Sequence, residues 1–171
     1  KASVGYQDFL YLEATLRNDW SSALPASNNS YLYPSVSTSF IFTELIKGGN
    51  ITNILSYGKL RASYASVGSD LGAHQLDLAI SNGSFYGTNP SASIGNQFRG
   101  GGIKPALTKA WEVGAELMFF KKVTVDVTVY QNNNTDQILP VDVSSASGFT
   151  TAQINAGNIV SNYLQKRLGD N

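Results

Sequence analysis

The chain has no cysteine and a single histidine, His74, among 171 residues. Disulfide staples are excluded, and a zinc or Cys/His catalytic centre loses most of its possible ligands. Charge is scarce too: 12 Lys+Arg balance 12 Asp+Glu, and 14% of residues are charged, against about 25% in an average globular chain. A neutral chain has no electrostatic footprint for nucleic acid, so no nucleic-acid partner is expected. No apolar run approaches the roughly 18 residues of a membrane helix. The start, Lys1-Ala2-Ser3-Val4, lacks a charged-then-apolar leader pattern, and the expectation is a piece of something larger. Ser, Thr, Asn, aromatics and 16 Gly take the place of charge, which favours strands and turns.

Helical spacing is hard to sustain anywhere, whereas strict alternation recurs. From Gln7 to Trp20, Leu10, Leu12, Ala14, Leu16 and Trp20 share one face; Tyr11, Glu13, Thr15, Arg17 and Asp19 share the other. Tyr31–Phe42 sets Leu32, Val36, Phe40 and Phe42 against Tyr33, Ser35, Ser37 and Ser39, and Pro34 suits a strand end. Tyr57–Gly68 sets Leu60, Ala62 and Tyr64 against Lys59, Arg61 and Ser63. Trp111, Val113, Ala115, Leu117 and Phe119 oppose Glu112, Gly114, Glu116 and Met118; Lys121-Lys122 then reverses the chain into Val123, Val125, Val127 and Val129. These arms read as a tight hairpin. A weaker run over Gln153–Asn162 brings the expectation to about six strands.

Alternation fits either a soluble β-sandwich, with the oily face inward, or a membrane barrel, with the oily face to lipid and the polar face lining a lumen. Three features favour the barrel. The arms run about 10 to 14 residues, longer than most soluble strands and enough to span a bilayer when tilted. Connections alternate between a minimal turn at Lys121-Lys122, a moderate one over 47–54, and a very long glycine-rich loop over 70–109, the pattern of short turns at one rim and long loops at the other. Aromatics end the oily stripes: Trp20, Tyr31, Trp111 and Tyr130 toward the long loops, and Phe40, Phe42, Tyr57, Phe119 and Phe120 toward the short turns. Trp111 to Phe119 covers roughly 26 Å at about 3.3 Å per residue, close to the apolar band. About six strands cannot close a barrel, because the smallest have about eight and an open edge is not tolerated in lipid. The fold expected is therefore all-β: an antiparallel transmembrane β-barrel segment from a larger barrel or assembly.

Five runs carry a resemblance: Tyr11–Ser22 (YLEATLRNDWSS), Tyr33–Ser37 (YPSVS), Leu60–Gly68 (LRASYASVG), Lys104–Gly114 (KPALTKAWEVG), and Ser147-Gly148-Phe149 with Asn155-Ala156-Gly157. In order and spacing, over roughly residues 6–162, they resemble the SusC/RagA-type TonB-dependent outer-membrane transporters of Bacteroidetes. That resemblance implies a plugged barrel of about 22 strands, located in a Gram-negative outer membrane and embedded in its lipid. It implies import of oligosaccharides or peptides beneath a SusD-like surface lipoprotein, driven by TonB through parts outside this chain. No enzyme activity, catalytic residue, metal or cofactor is expected. Residues 1–162 would be barrel with a long extracellular loop at 70–109. After Asn162 the sequence leaves the family pattern, so 163–171 reads as an unassigned tail following a break.

Candidate ligand-binding residues fall in two places. Glu13, Arg17, Asp19, Lys59, Arg61, Glu112, Glu116 and Asp126 face inward; Arg17, Arg61 and Glu116 are the lumen candidates, with Lys59 and Arg61 placed to pair across strands with Glu112 and Glu116. The plainer reading is that these charges solvate the lumen or hold the plug. In the loop, Phe85, Tyr86, Phe98 and Arg99 combine aromatic faces with a guanidinium, a set suited to sugars; the plainer reading is that they fold the loop or meet the lipoprotein. His74 is alone, Arg99–Lys104 lacks the ending of a phosphate loop, and the sequons at Asn28, Asn50, Asn82 and Asn133 are coincidental in an Asn- and Ser-rich chain. Two alternatives stay open: a soluble carbohydrate-binding sandwich, and a small non-transporting barrel with two more strands between Leu76 and Ile94.

Overall fold

The computed structural model describes residues 1–46, 54–77, 80–100 and 102–170. Seven strands form one antiparallel wall: β1 (Ala2–Tyr6), β2 (Leu10–Trp20), β3 (Ser30–Phe40), β4 (Leu55–Ser69), β8 (Ala106–Phe119), β9 (Val123–Thr135) and β12 (Ile159–Asp170), in the order β1-β2-β3-β4-β8-β9-β12. Between β4 and β8 lie β5 (Ile80–Asn82), β6 (Ala92–Ile94) and β7 (Gln97–Arg99); between β9 and β12 lie β10 (Ile138–Asp142) and β11 (Thr151–Asn155). Connections alternate along the wall. Residues 7–9, 41–54 and 120–122 join strands at one rim; 21–29, 70–105 and 136–158 join them at the other. The 70–109 loop expected from sequence ends four residues earlier, at the start of β8. Part of the expected moderate connection, 47–53, lies outside the described residues.

Register turns the alternation into two faces. Along one row Leu60 pairs with Ala115, Ala115 with Val127 and Val127 with Lys166; the next holds Ala62, Val113, Val129 and Leu164. The row beyond holds Tyr64, Trp111, Gln131 and Asn162, where Trp111 Nε1 donates to Gln131 Oε1 (2.7 Å) and Gln131 Nε2 to Asn162 Oδ1 (2.6 Å). Apolar side chains thus give way to amphipathic rings and amides at the long-loop rim, the sequence of environments from hydrocarbon to headgroup. The oily face is uncovered: Leu12 is 48% exposed, Leu16 64% and Val113 51%. A sandwich would bury that face against a second sheet, so the sandwich alternative fails. The buried apolar residues, Leu24, Ile103, Ala106 and Ala152, sit instead at the long-loop end.

Three expectations from sequence are corrected here. The wall has seven strands rather than about six: β1 pairs with β2 from Ala2↔Ala14 to Tyr6↔Leu10, and the weak last run is two elements, β11 and β12, split by Gly157 at φ +86°. Residues 163–170, which the sequence leaves unassigned, form the last eight of the twelve residues of β12 on β9. Tyr31, Tyr57 and Tyr130 do not belong to the girdles. Tyr31 pairs with Asp19, Tyr57 with Met118 after a register shift, and Tyr130 with Glu112, so all three have the polar parity. The short-turn belt contains two rings not foreseen, Tyr6 and Phe9, which stack edge-on with each other and, through Phe9, with Phe40. Among the described residues between Leu76 and Ile94, the two extra strands sought are the three-residue β5 and β6, paired with each other and not with the wall.

The short turns share one geometry. Phe9 N donates to Tyr6 O (3.2 Å) across Gln7 (φ 46°) and Asp8 (φ 55°); Lys122 N donates to Phe119 O (3.0 Å) across Phe120 (φ 53°) and Lys121 (φ 56°). The reversal is thus centred on Phe120-Lys121, one residue before the Lys121-Lys122 expected. Left-handed pairs match the twist of the flanking strands but are unfavourable for residues with a Cβ. Lys121→Gly should therefore stabilise the barrel, by about 0.5–1 kcal/mol, read from denaturant unfolding of the full-length protein. Leu60→Arg, in the row midway between Trp111 and Phe119, should destabilise insertion by about 2–4 kcal/mol, while Ser37→Arg on the opposite face costs less; equal costs would refute the assignment of faces.

Candidate functional site

The polar face gathers nearly all the wall's ions. Glu13, Arg17, Asp19, Lys59, Arg61, Glu112, Glu116, Asp126 and Arg167 share its parity, whereas Lys109 and Lys166 have the apolar one. Arg61 is the hub of its lower half. In register it sits beside Gly114, which sits beside Thr128, and its side chain crosses β8 above Gly114. Nη1 and Nη2 reach Asp126 Oδ2 (3.3 Å) and Oδ1 (3.1 Å), Nη2 also donates to Thr128 Oγ1 (2.5 Å), and Nε lies 3.4 Å from Glu112 Oε1. A planar fork bidentate to one carboxylate fixes geometry as well as charge. Thr128 is buried and donates to Asp126 Oδ1 (3.1 Å). Lys59 Nζ is 4.0 Å from Glu116 Oε2, and Lys1 Nζ 3.0 Å from Glu13 Oε2. The cross-strand pairs of Lys59 and Arg61 with Glu116 and Glu112 are formed; the Asp126 bond, two strands away, needs the glycine between.

The upper half is shaped by a loss of pairing. β3 and β4 are bonded from Phe40↔Leu60 to Ser35↔Ala65, yet β3 extends to Ser30 and β4 to Ser69. The two strands part above that point. Tyr33 fills the split against Gly68, where a Cβ would meet its hydroxyl at 2.7 Å. Tyr31 and Tyr33 stack edge-on at 5.0 Å, and Ser21 Oγ donates to Asp70 Oδ2 across the top. A cavity of about 580 Å³ results, lined by Arg17, Asp19, Tyr31, Tyr33, Gly68 and Asp70 among others; a second, about 470 Å³, continues it down the wall and shares Arg17, Asp19, Tyr33 and Gly68. Arg17 Nε donates to Asp19 Oδ1 at 2.6 Å.

The loop candidates are not brought together with the lumen candidates. Phe85 and Tyr86 stand on the tip of the β5–β6 hairpin, 70% and 86% exposed. Phe98 packs edge-on against Phe149 at 5.4 Å, and Arg99 donates to the carbonyls of Asp77 and His74, so its fork holds the loop. His74 Nδ1 and Asp77 Oδ2 are 2.6 Å apart, and no metal-holding group of three or more ligands occurs among the described residues. Sequence reading missed how the two long loops are stapled. β7 pairs parallel with β11, and Asn155 accepts from Lys104 N (2.8 Å) and donates to the carbonyls of Lys104 (2.8 Å) and Asp136 (2.9 Å). The Asn155-Ala156-Gly157 run was the available signal.

At Gly114 a Cβ would meet Arg61 Nε at 2.7 Å and Cγ at 3.1 Å. Gly114→Ala is expected to destabilise by about 1–3 kcal/mol through overpacking. Most of that cost should vanish in an Arg61→Ala background, a coupling of about 0.5–3 kcal/mol in a double-mutant cycle by denaturant unfolding. Equal costs in both backgrounds would remove Arg61 as the reason for the glycine.

Comparison with known proteins agrees with this geometry. A solved structure of the RagAB peptide importer in its closed-closed state superposes with a TM-score of 0.85 at 21% identity, over 97% of this chain and 18% of that one. The open-open state gives 0.86 at 20% identity with the same coverage. A Serratia marcescens hemophore receptor, HasR, solved with its hemophore and heme, gives 0.51 at 13% identity. TonB-dependent receptor P39 of Formosa agariphila is 24% identical over 163 residues, 92% of this chain and 15% of the relative. The chain thus spans less than a fifth of the length of RagAB's matched chain and of P39, and 30% of the HasR chain. The family model described as TonB dependent receptor-like, beta-barrel, matches residues 3–163, and the chain belongs to that family.

Proposed function

We propose that this chain is a stretch of barrel wall in a TonB-dependent importer of the outer membrane, carrying oligosaccharides or peptides with a SusD-like surface lipoprotein. The observation that carries the reading is the asymmetry of the wall. One face is mostly apolar surface bounded by rings, the other holds the paired ions, and one rim bears two three-residue turns and a single 14-residue connection while the opposite rim bears two long loops stapled together by β7 and β11. That is the organisation of a barrel that faces lipid outward and a solvated lumen inward. The family is one of transporters and receptors, and the name RagAB peptide importer favours import with a second component. Solute is captured beneath the lipoprotein, held by the loop-lined outer cavity, and released inward when TonB displaces the plug; this chain contributes wall, girdle and loops. Its effect on solute choice lies in the loops at 70–105 and 136–158 and in the adjoining lumen face.

The full-length protein, isolated from outer membranes, is expected to need detergent and to co-purify with its lipoprotein. Uptake of labelled oligosaccharide or peptide should vanish in TonB-deficient cells. Excising residues 80–94 should weaken lipoprotein co-purification while the barrel stays folded, seen as an unchanged heat-induced mobility shift. Recovery in the aqueous fraction, or uptake that persists without TonB, would overturn the reading.

A further inference from the structure

We propose that the split between β3 and β4 is a binding site for a cationic group, an ammonium or a guanidinium, borne by the entering solute; the role assigned to it rests on the import reading above. The charge balance of the split points there. Arg17 and Asp19 neutralise each other at 2.6 Å. Asp70 has no cation within salt-bridge reach among the described residues, and accepts instead from Ser21, with the Tyr31 hydroxyl also beside it. The trough therefore keeps one uncompensated carboxylate, and those neutral partners hold it in place.

Beside that carboxylate stand two phenol rings set at 70° to each other. An edge-on pair leaves π faces at an angle, and a π face attracts a cation and offers nothing comparable to an anion. Gly68 keeps Tyr33 in the split, since any side chain there would displace the ring. A carboxylate with phenol rings beside it suits a positive charge, and an anionic solute would be repelled by Asp70. The cavity of about 580 Å³ admits a lysine or arginine side chain as readily as an amino sugar. The shared chemistry is the cation; the experiment separates the sources.

The full-length transporter with its lipoprotein, in detergent, would be titrated calorimetrically with two pairs of probes. The first is end-blocked Gly-Lys-Gly and its Nε-acetylated form. The second is the glucosamine trisaccharide and its N-acetylated form. In at least one pair the amine is expected to bind about tenfold more tightly than the acetylated partner, and that pair identifies the source. Asp70→Asn, which can keep the Ser21 bond, should cut the preference below about twofold. Tyr33→Leu, with folding checked by the heat-induced mobility shift, should weaken the amine form selectively. Equal affinities within both pairs, no measurable binding of either amine, or a preference that survives Asp70→Asn would each overturn the site. TonB dependence of uptake in wild-type cells is scored separately: its absence counts against import and leaves the cation preference standing.

Discussion

In hydrocarbon there is no water to hydrogen-bond a peptide group, so every N–H and C=O of a spanning strand must be bonded sideways to a neighbour. The rest of this structure follows from that constraint. β8 is paired along its length by β4 on one side and β9 on the other, and β9 by β12 beyond it. Because the side-chain period is two, such long ladders hold each strand's oily set to a single face. A seven-stranded sheet still has two edges, at β1 and β12. Neither edge is tolerated in lipid, so the wall is a portion of a closed barrel, in keeping with its coverage of 18% of the RagAB chain.

The same constraint explains where the ladder is allowed to fail. The pairing of β3 with β4 stops at Ser35↔Ala65, on the long-loop side of the Tyr64–Trp111 row, where water and loops can satisfy the freed backbone. The irregular, polar part of the molecule therefore begins at the depth where the aromatic and amide row marks the end of the apolar band. Lower down, irregularity is replaced by charge pairing: Arg61 reaches over Gly114 to Asp126 and joins three strands through one side chain. Lys166 departs from this scheme. It lies in the apolar row with Leu60, Ala115 and Val127, and the structure gives no account of it.

Much of this was legible in the sequence, for a local reason. Alternation depends only on neighbours two apart, so the lipid and lumen faces of β2, β3, β4, β8 and β9 could be written down from residue order, along with the tight turn after Phe119 and the pairing of Lys59 and Arg61 with the acids of β8. Rings were harder to place. Position along a strand assigned Tyr31, Tyr57 and Tyr130 to the girdles, whereas parity sends all three to the lumen; for Tyr57 the register shift beside it also has to be known.

The sequence by itself determined the class of protein: strands of membrane length, two chemically opposite faces, and rims of unequal loop length. Only the tertiary structure decided which residues share a site. The Arg61–Asp126 bond spans 65 positions of chain, Ser21 meets Asp70 across 49, and Asn155 holds Lys104 across 51. Such contacts are set by register and by where two strands part, and neither quantity is written in the period of a single strand. Period is a local property of the chain, whereas a site is the meeting of distant segments.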